Sequence, residues 1–179
     1  MLAGFAPGNL VGPAFKSKFY LSKTEHLPTE TRVEEDNWLV AIEWMEAQGI
    51  DVASSSLGYR DFFDNPAENY DYSDLDGETA VVTRAAQMAT EKGVVVVTSA
   101  GNEGNLTKFP YIGAPADGKD VLAVGAVTSK AVRAGFSSIG PSYDGRIKPD
   151  VVAMGVAVSM VSVGSGTGYR TGQGTSYAC

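Results

Sequence analysis

Short apolar runs alternate along the chain with longer stretches in which apolar residues recur every three or four positions. That alternation predicts strands and helices in turn, and therefore an α/β domain around a parallel sheet. Trp38, Ile42 and Met45 stand four and three positions apart within residues 34–48, which marks one buried stripe on a helix. Glu34, Glu35 and Asp36 crowd its first turn, where the helix dipole favours negative charge, and Gly49 follows at its natural stop. A second helix is predicted over residues 78–92, capped by Asp76 and stopped by Gly93, with Val82, Ala85 and Ala89 on its inner face. Strands are predicted at residues 18–21, 50–57, 94–97, 121–124, 151–154 and 156–163. The run 94–97 is all valine, as suits a central parallel strand. Trp38 and Trp44 are both expected in the core. Met1 falls in what reads as a helix end, and Cys179 in the first turn of a helix that Ser176 should begin. A first turn with nothing to pack it rarely closes a domain, so residues 1–179 read as a single partial domain.

Composition narrows the classes. A chain of 179 residues with 44% hydrophobic and 20% charged residues has the makeup of a folded domain. The formal net charge of −7 argues against nucleic acid as the main partner, which requires a basic footprint. Cys179 is the one cysteine, so no internal disulfide forms. No apolar run approaches the roughly 18 residues of a membrane span. The first residues lack the basic and apolar regions of a signal peptide.

Two segments carry candidate chemistry. Gln173-Gly174-Thr175-Ser176-Tyr177-Ala178 reads as a turn that mounts a serine at a helix start. Thr98-Ser99-Ala100-Gly101-Asn102-Glu103-Gly104 follows the valine run, as if an asparagine were mounted at a strand end. Alone, Gly-Thr-Ser is more often a plain turn. Serine and a polarising amide together make half of an acyl-transfer site; the other half, a histidine base oriented by a carboxylate, is not recognisable. His26, the only histidine, lies in a charged loop next to Pro28 and reads as a solvated residue. Residues 61–76 are rich in Asp, Asn and Tyr but do not match an EF-hand, and read as a solvated insertion. Asp144 and Asp150 read as turn and corner residues, and Cys179 as a packed small residue. The glycines of residues 164–174 match neither a dinucleotide fingerprint nor a P-loop. Gly-x-Ser-x-Gly is absent around Ser176, which argues against an α/β-hydrolase elbow.

Four stretches taken in order resemble the subtilisin-like serine peptidases, or subtilases. They are Trp38-Leu39-Val40-Ala41-Ile42-Glu43-Trp44 leading to Ser55-Ser56-Leu57-Gly58; Ser99-Ala100-Gly101-Asn102-Glu103-Gly104; Phe136-Ser137-Ser138-Ile139-Gly140-Pro141 with Asp144-Gly145-Arg146-Ile147-Lys148-Pro149-Asp150-Val151; and Gly174-Thr175-Ser176-Tyr177-Ala178. The resemblance implies a three-layer α/β/α fold with a mostly parallel sheet and substrate bound at the carboxyl ends of its strands. It implies Ser176 as nucleophile and Asn102 as oxyanion donor. Ser56, Leu57 and Gly58 would form one wall of the primary specificity pocket, Ala100 and Gly101 the opposite wall, and Gly113 its floor. Pro115 resembles a cis-proline, Glu103 a rim residue, and residues 32–35 a second strand alongside substrate.

The resemblance further implies a polypeptide substrate, a secreted or cell-envelope location and no cofactor. It allows a structural calcium ion, which no motif here supports, and no metal ligand is assigned. In this family the catalytic aspartate and histidine precede the first stretch matched. Removing the histidine from a subtilisin costs about 10⁶ in turnover, so this polypeptide alone is expected to be nearly inert. The alternative is a catalytically silent peptide-binding or interaction domain on the same scaffold.

Overall fold

A computed structural model of the chain describes residues 1–162, 164 and 168–179. It opens with a hairpin in which β1 (Phe5–Ala6) pairs antiparallel with β2 (Leu10–Val11). The helix end expected at Met1 is therefore a turn into this hairpin. The strand expected at residues 18–21 does not form either. That segment runs beside α1 (Val33–Ala47), where Tyr20 packs edge-on against Trp44 at 5.7 Å. Leu21 in this segment is 85% exposed. Trp44 is likewise a surface residue, whereas Trp38 is core.

The central sheet has four parallel strands in the order β3-β4-β5-β6. They are β3 (Val52–Ser55), β4 (Val95–Ser99), β5 (Leu122–Val127) and β6 (Val151–Met154). Between β3 and β4 the chain forms α2 (Val81–Glu91). Both helices join one hydrophobic cluster with the sheet: Trp38 and Ile42 from α1, Val82, Ala85, Ala86 and Ala89 from α2, Ala53 and Val96 from the strands. The Trp38 indole N–H donates to Ser55 Oγ at 3.0 Å, tying α1 to β3. The opposite sheet face leaves the register partners Val52 and Val95 exposed. After β6, β7 (Val158–Val161) and β8 (Tyr169–Gly172) form an antiparallel pair that delivers the chain to Gly174. The predicted run 156–163 is thus shorter at its start, and Val163 lies outside the described residues.

The cap of α2 comes from a distant residue. Asp76 accepts from the N–H groups of Glu78 and Thr79 at 2.7 and 2.8 Å, which closes a turn before the helix. The helix starts later, at Val81, and its orphan Val82 N–H donates to Glu35 Oε2 of α1 at 3.0 Å. Glu35 Oε1 accepts from the Tyr70 hydroxyl at 2.7 Å. Glu34 and Glu35, expected in the first turn as partners of the helix dipole, are fully buried there. Burial holds the Glu35 carboxyl above the usual carboxylate range despite these two donors.

Candidate active site

Parallel strands present their carboxyl ends on one side of a sheet, and there the loops after β3 and β4 meet the turn that carries Ser176. An open cleft of about 450 Å³ is lined by Ser56, Gly58, Arg60, Phe62, Ser99, Ala100, Gly101, Asn102, Glu103, Gly113 and Ser176. Strand alternation explains the wall formed by residues 56–58. Ser56 and Gly58 are exposed toward the cleft, while Leu57 between them packs against the core cluster. Leu57 therefore offers the cleft backbone only. Gly113 is brought up by Tyr59 and Ala114, which exchange N–H···O bonds of 2.8 and 3.0 Å. The Ala114–Pro115 peptide is cis.

Ser176 sits in a short 3₁₀ turn, Thr175–Tyr177, rather than at the start of an α-helix. Thr175, with no exposed surface, ties this turn to the loop after β4. Asn102 Oδ1 accepts from Thr175 N–H at 2.8 Å and from Thr175 Oγ1 at 3.1 Å, while Gly101 N–H donates to Thr175 Oγ1 at 3.2 Å. Two donors on Oδ1 decide which end of the amide is oxygen, so the Asn102 N–H₂ group is turned away from Thr175. Among the described residues no protein acceptor takes that group or the Ser176 N–H. Ser176 Oγ reaches Ser56 O at 3.4 Å, and Ser56 Oγ donates to Ser176 O at 3.1 Å. The turn that carries Ser176 and the strand wall are thus cross-linked in both directions.

Gly101 has φ +112°, and a Cβ there would meet Ser138 Oγ and Glu103 Oε2 at 2.7 Å. Only glycine fits that combination of positive φ and close approach. Glu103 Oε2 accepts from Asn102 N–H at 2.7 Å and from Ser138 Oγ at 3.1 Å. Its other neighbour is Arg60, whose Nη1 lies 3.4 Å away. Arg60 is buried, stacks 4.2 Å over the Phe109 ring, and pairs with Asp61 at 2.7 Å. Partial burial pushes the Asp61 carboxyl up, but the Arg60 hydrogen bond and charge outweigh it and hold it below its ordinary value. The sequence reading missed Arg60. Its one available signal was a charge two residues past the wall segment, and nothing in the sequence said that the charge turns inward.

Ser176, Asn102, Ser56, Gly58, Ala100, Gly101 and Gly113 come together in one cleft. Residues 32–35 do not lie there as an extended strand: Arg32 precedes α1 directly, and its guanidinium donates to Glu68 O at 2.6 and 2.8 Å. His26 is exposed, its Nδ1 2.8 Å from Thr29 Oγ1, and it is not a cleft residue. Carboxylates of the acidic stretch 61–76 accept from backbone N–H groups: Asp64 from Glu30, Asp74 from Asp71, and Asp76 as above. Asp144 bonds Arg146 and Ser142, and Asp150 bonds Lys148 and Ala123 N–H, as corner residues do. Cys179 Sγ lies 3.5 Å from Ser55 O, and burial pushes its thiol up.

Comparison with known proteins gives one consistent result. The pattern of the subtilase family matches residues 1–179. Subtilisin NAT of Bacillus subtilis subsp. natto is 36% identical over 143 residues, covering 79% of this chain and 31% of that protein. The membrane-bound transcription factor site-1 protease of Rattus norvegicus is 32% identical over 159 residues, covering 84% of this chain and 13% of that protein. The chain thus spans about a third or less of these relatives. Among solved structures, the self-cleaved protease domain of PatA superposes with a TM-score of 0.62 at 24% identity, covering 83% of this chain and 48% of that one, which shows a common fold.

Proposed function

The chain belongs to the subtilase family, and from that premise we propose that its cleft is the acyl-transfer half of a serine endopeptidase site. Ser176 Oγ attacks a peptide carbonyl. The developing oxyanion is held by the Ser176 N–H and the Asn102 side-chain N–H. The acyl group passes to Ser176 as the amine leaves, and water then releases it. Polypeptide substrate lies between the backbone of Ser56, Leu57 and Gly58 and that of Ala100 and Gly101, with its side chain directed toward Gly113, Arg60 and Glu103. The charges of Arg60 and Glu103 favour a hydrogen-bonding side chain there over a large aliphatic one.

One observation carries this reading. Thr175 clamps Asn102 Oδ1 through two donors, which leaves the amide N–H₂ as the end free to receive charge beside Ser176. A general base is what the site lacks among the described residues: the Ser176 hydroxyl meets only the Ser56 carbonyl, and His26, the sole histidine of the sequence, lies outside the cleft. The isolated chain is therefore nearly inert, and the activity belongs to the protein that also supplies the imidazole and its carboxylate.

The test is hydrolysis of a peptide library by protein expressed from the complete reading frame, with and without Ser176→Ala. Cleavage abolished by that substitution supports the reading. Peptide binding with no cleavage by the folded parent would instead make this a silent peptide-binding domain.

A further inference from the structure

In the cleft a guanidinium and a carboxylate from two different loops stand side by side. Arg60 comes from the loop after β3 and Glu103 from the loop after β4, and Arg60 Nη1 lies 3.4 Å from Glu103 Oε2. A Cβ added at Gly113 would lie 3.9 Å from Arg60 Cδ, so a side chain entering over Gly113 meets the Arg60 side chain. Each partner is only half committed. Arg60 Nε donates to Asp61 at 2.7 Å and Nη1 to Phe109 O at 3.2 Å. Glu103 Oε2 accepts from Asn102 N–H at 2.7 Å and Ser138 Oγ at 3.1 Å. Among the described residues, Arg60 Nη2 and Glu103 Oε1 have no hydrogen-bond partner, and neither is an orphaned atom sealed from solvent. The pair therefore presents one free donor and one free acceptor to the cleft that both residues line.

Substrate side chains satisfy that pair to different degrees. An aliphatic one displaces water from both groups and leaves both without a partner, which is costly. A carboxylate accepts from Arg60 but meets the Glu103 charge, and Asp61 already balances the guanidinium. An ammonium meets the reverse conflict. A primary carboxamide carries an acceptor and donors on one carbon and brings no charge. Its carbonyl accepts from Arg60 Nη2 while its N–H₂ donates to Glu103 Oε1. We propose that Arg60 and Glu103 together select a primary carboxamide, so that the protein cleaves after glutamine in preference to other residues. Glutamine outranks asparagine because its extra methylene packs on Phe62, an apolar cleft residue that is 43% exposed. The selecting groups are held before substrate arrives: Arg60 by the Phe109 ring at 4.2 Å, Glu103 by its two donors. The cleavage step rests on the peptidase reading above; the selection of the side chain does not.

The test uses four peptides that differ only in the residue before the scissile bond: Gln, Glu, Lys or Met. Methionine has the length of glutamine without its hydrogen bonds. With protein expressed from the complete reading frame, kcat/KM for Gln should exceed that for Met by about 10–100-fold, and should also exceed those for Glu and Lys. Arg60→Met should bring Gln and Met to parity. Glu103→Gln keeps an oxygen for Asn102 N–H and Ser138 but removes the repelling charge, and should raise Glu relative to Gln by about tenfold. Binding of the same peptides to Ser176→Ala protein, read by fluorescence anisotropy, separates this inference from the peptidase reading. A Gln preference in binding, with no cleavage by the parent, leaves the pocket assignment standing and sinks the peptidase. Circular dichroism establishes that each variant is folded; if one fails to fold, the other decides. Two outcomes overturn the proposal. One is a Gln peptide that fails to bind Ser176→Ala protein, or binds no better than the Met, Glu or Lys peptide. The other is a Gln preference unchanged in a folded Arg60→Met or Glu103→Gln variant.

Discussion

Thr175→Val removes one oxygen atom from the point where the Ser176 turn meets the Asn102 loop. The valine keeps the shape of the side chain and the backbone N–H that donates to Asn102 Oδ1 at 2.8 Å. It deletes the hydroxyl that donates to the same oxygen at 3.1 Å and accepts from Gly101 N–H at 3.2 Å. Thr175 has no exposed surface, so water does not replace it. Orphaning the Gly101 N–H costs about 1–3 kcal/mol, which lowers the Tm by about 3–10 °C in a chain of this size. Catalysis suffers separately, because Asn102 keeps one anchor of two. Full loss of such a side-chain donor costs about 10²–10³ in kcat, and a loosened one should cost about tenfold. The assay is kcat on a peptide substrate for the parent, Thr175→Val, Asn102→Leu and the double variant, each from the complete reading frame. If Thr175 acts through Asn102, its effect on kcat vanishes in the Asn102→Leu background. An equal tenfold loss in both backgrounds would refute the clamp.

Other consequences follow from buried groups elsewhere. Glu35→Ala strands the Val82 N–H and the Tyr70 hydroxyl together, and should lower stability by about 2–4 kcal/mol in denaturant unfolding, with Glu35→Gln losing less. Arg60→Met removes the guanidinium that stacks over Phe109 together with its charge, and should shift preference toward aliphatic side chains by about tenfold in competitive library cleavage. Burial raises Glu34, Glu35 and Asp117, so the folded state holds protons that the unfolded chain has already released. Their contribution is complete below the ordinary carboxylate range and is lost as pH climbs through the raised values. Asp76 and Asp144 are lowered, by donors that outweigh burial for Asp76 and by Arg146 first for Asp144, and their contribution is lost only below that range. The urea midpoint should therefore fall from pH 5 to pH 7, and Glu34→Gln should flatten the slope.

The parts of the fold written in local pattern were legible before the structure. The valine run at β4, the stripe of Trp38 and Ile42, and the stop glycines all report on neighbours a few residues away. Contacts made through space were not. Asp76 has the right chemistry for a cap, yet the donor at Val82 is met by Glu35 from another helix. Trp44 reads as core by composition but stands on the outer side of α1, and residues 18–21 have strand-like residues but lie along α1, where Tyr20 packs on Trp44. Ser176, Asn102 and the cleft glycines were grouped in the sequence because four spaced stretches resemble one family, and the structure brings them to one cleft. Arg60 belongs to none of those stretches, and its approach to Glu103 depends on how the loop after β3 closes.

The central claim is that Ser176 and Asn102 act on the same reacting carbonyl. Its most direct test is the rate at which a fluorophosphonate modifies protein expressed from the complete reading frame, with the adduct mapped by mass spectrometry. The predicted result is a single adduct on Ser176, formed about 10²–10³ times more slowly in Asn102→Leu. An adduct on another residue, or an unchanged rate in the folded Asn102→Leu variant, would contradict it.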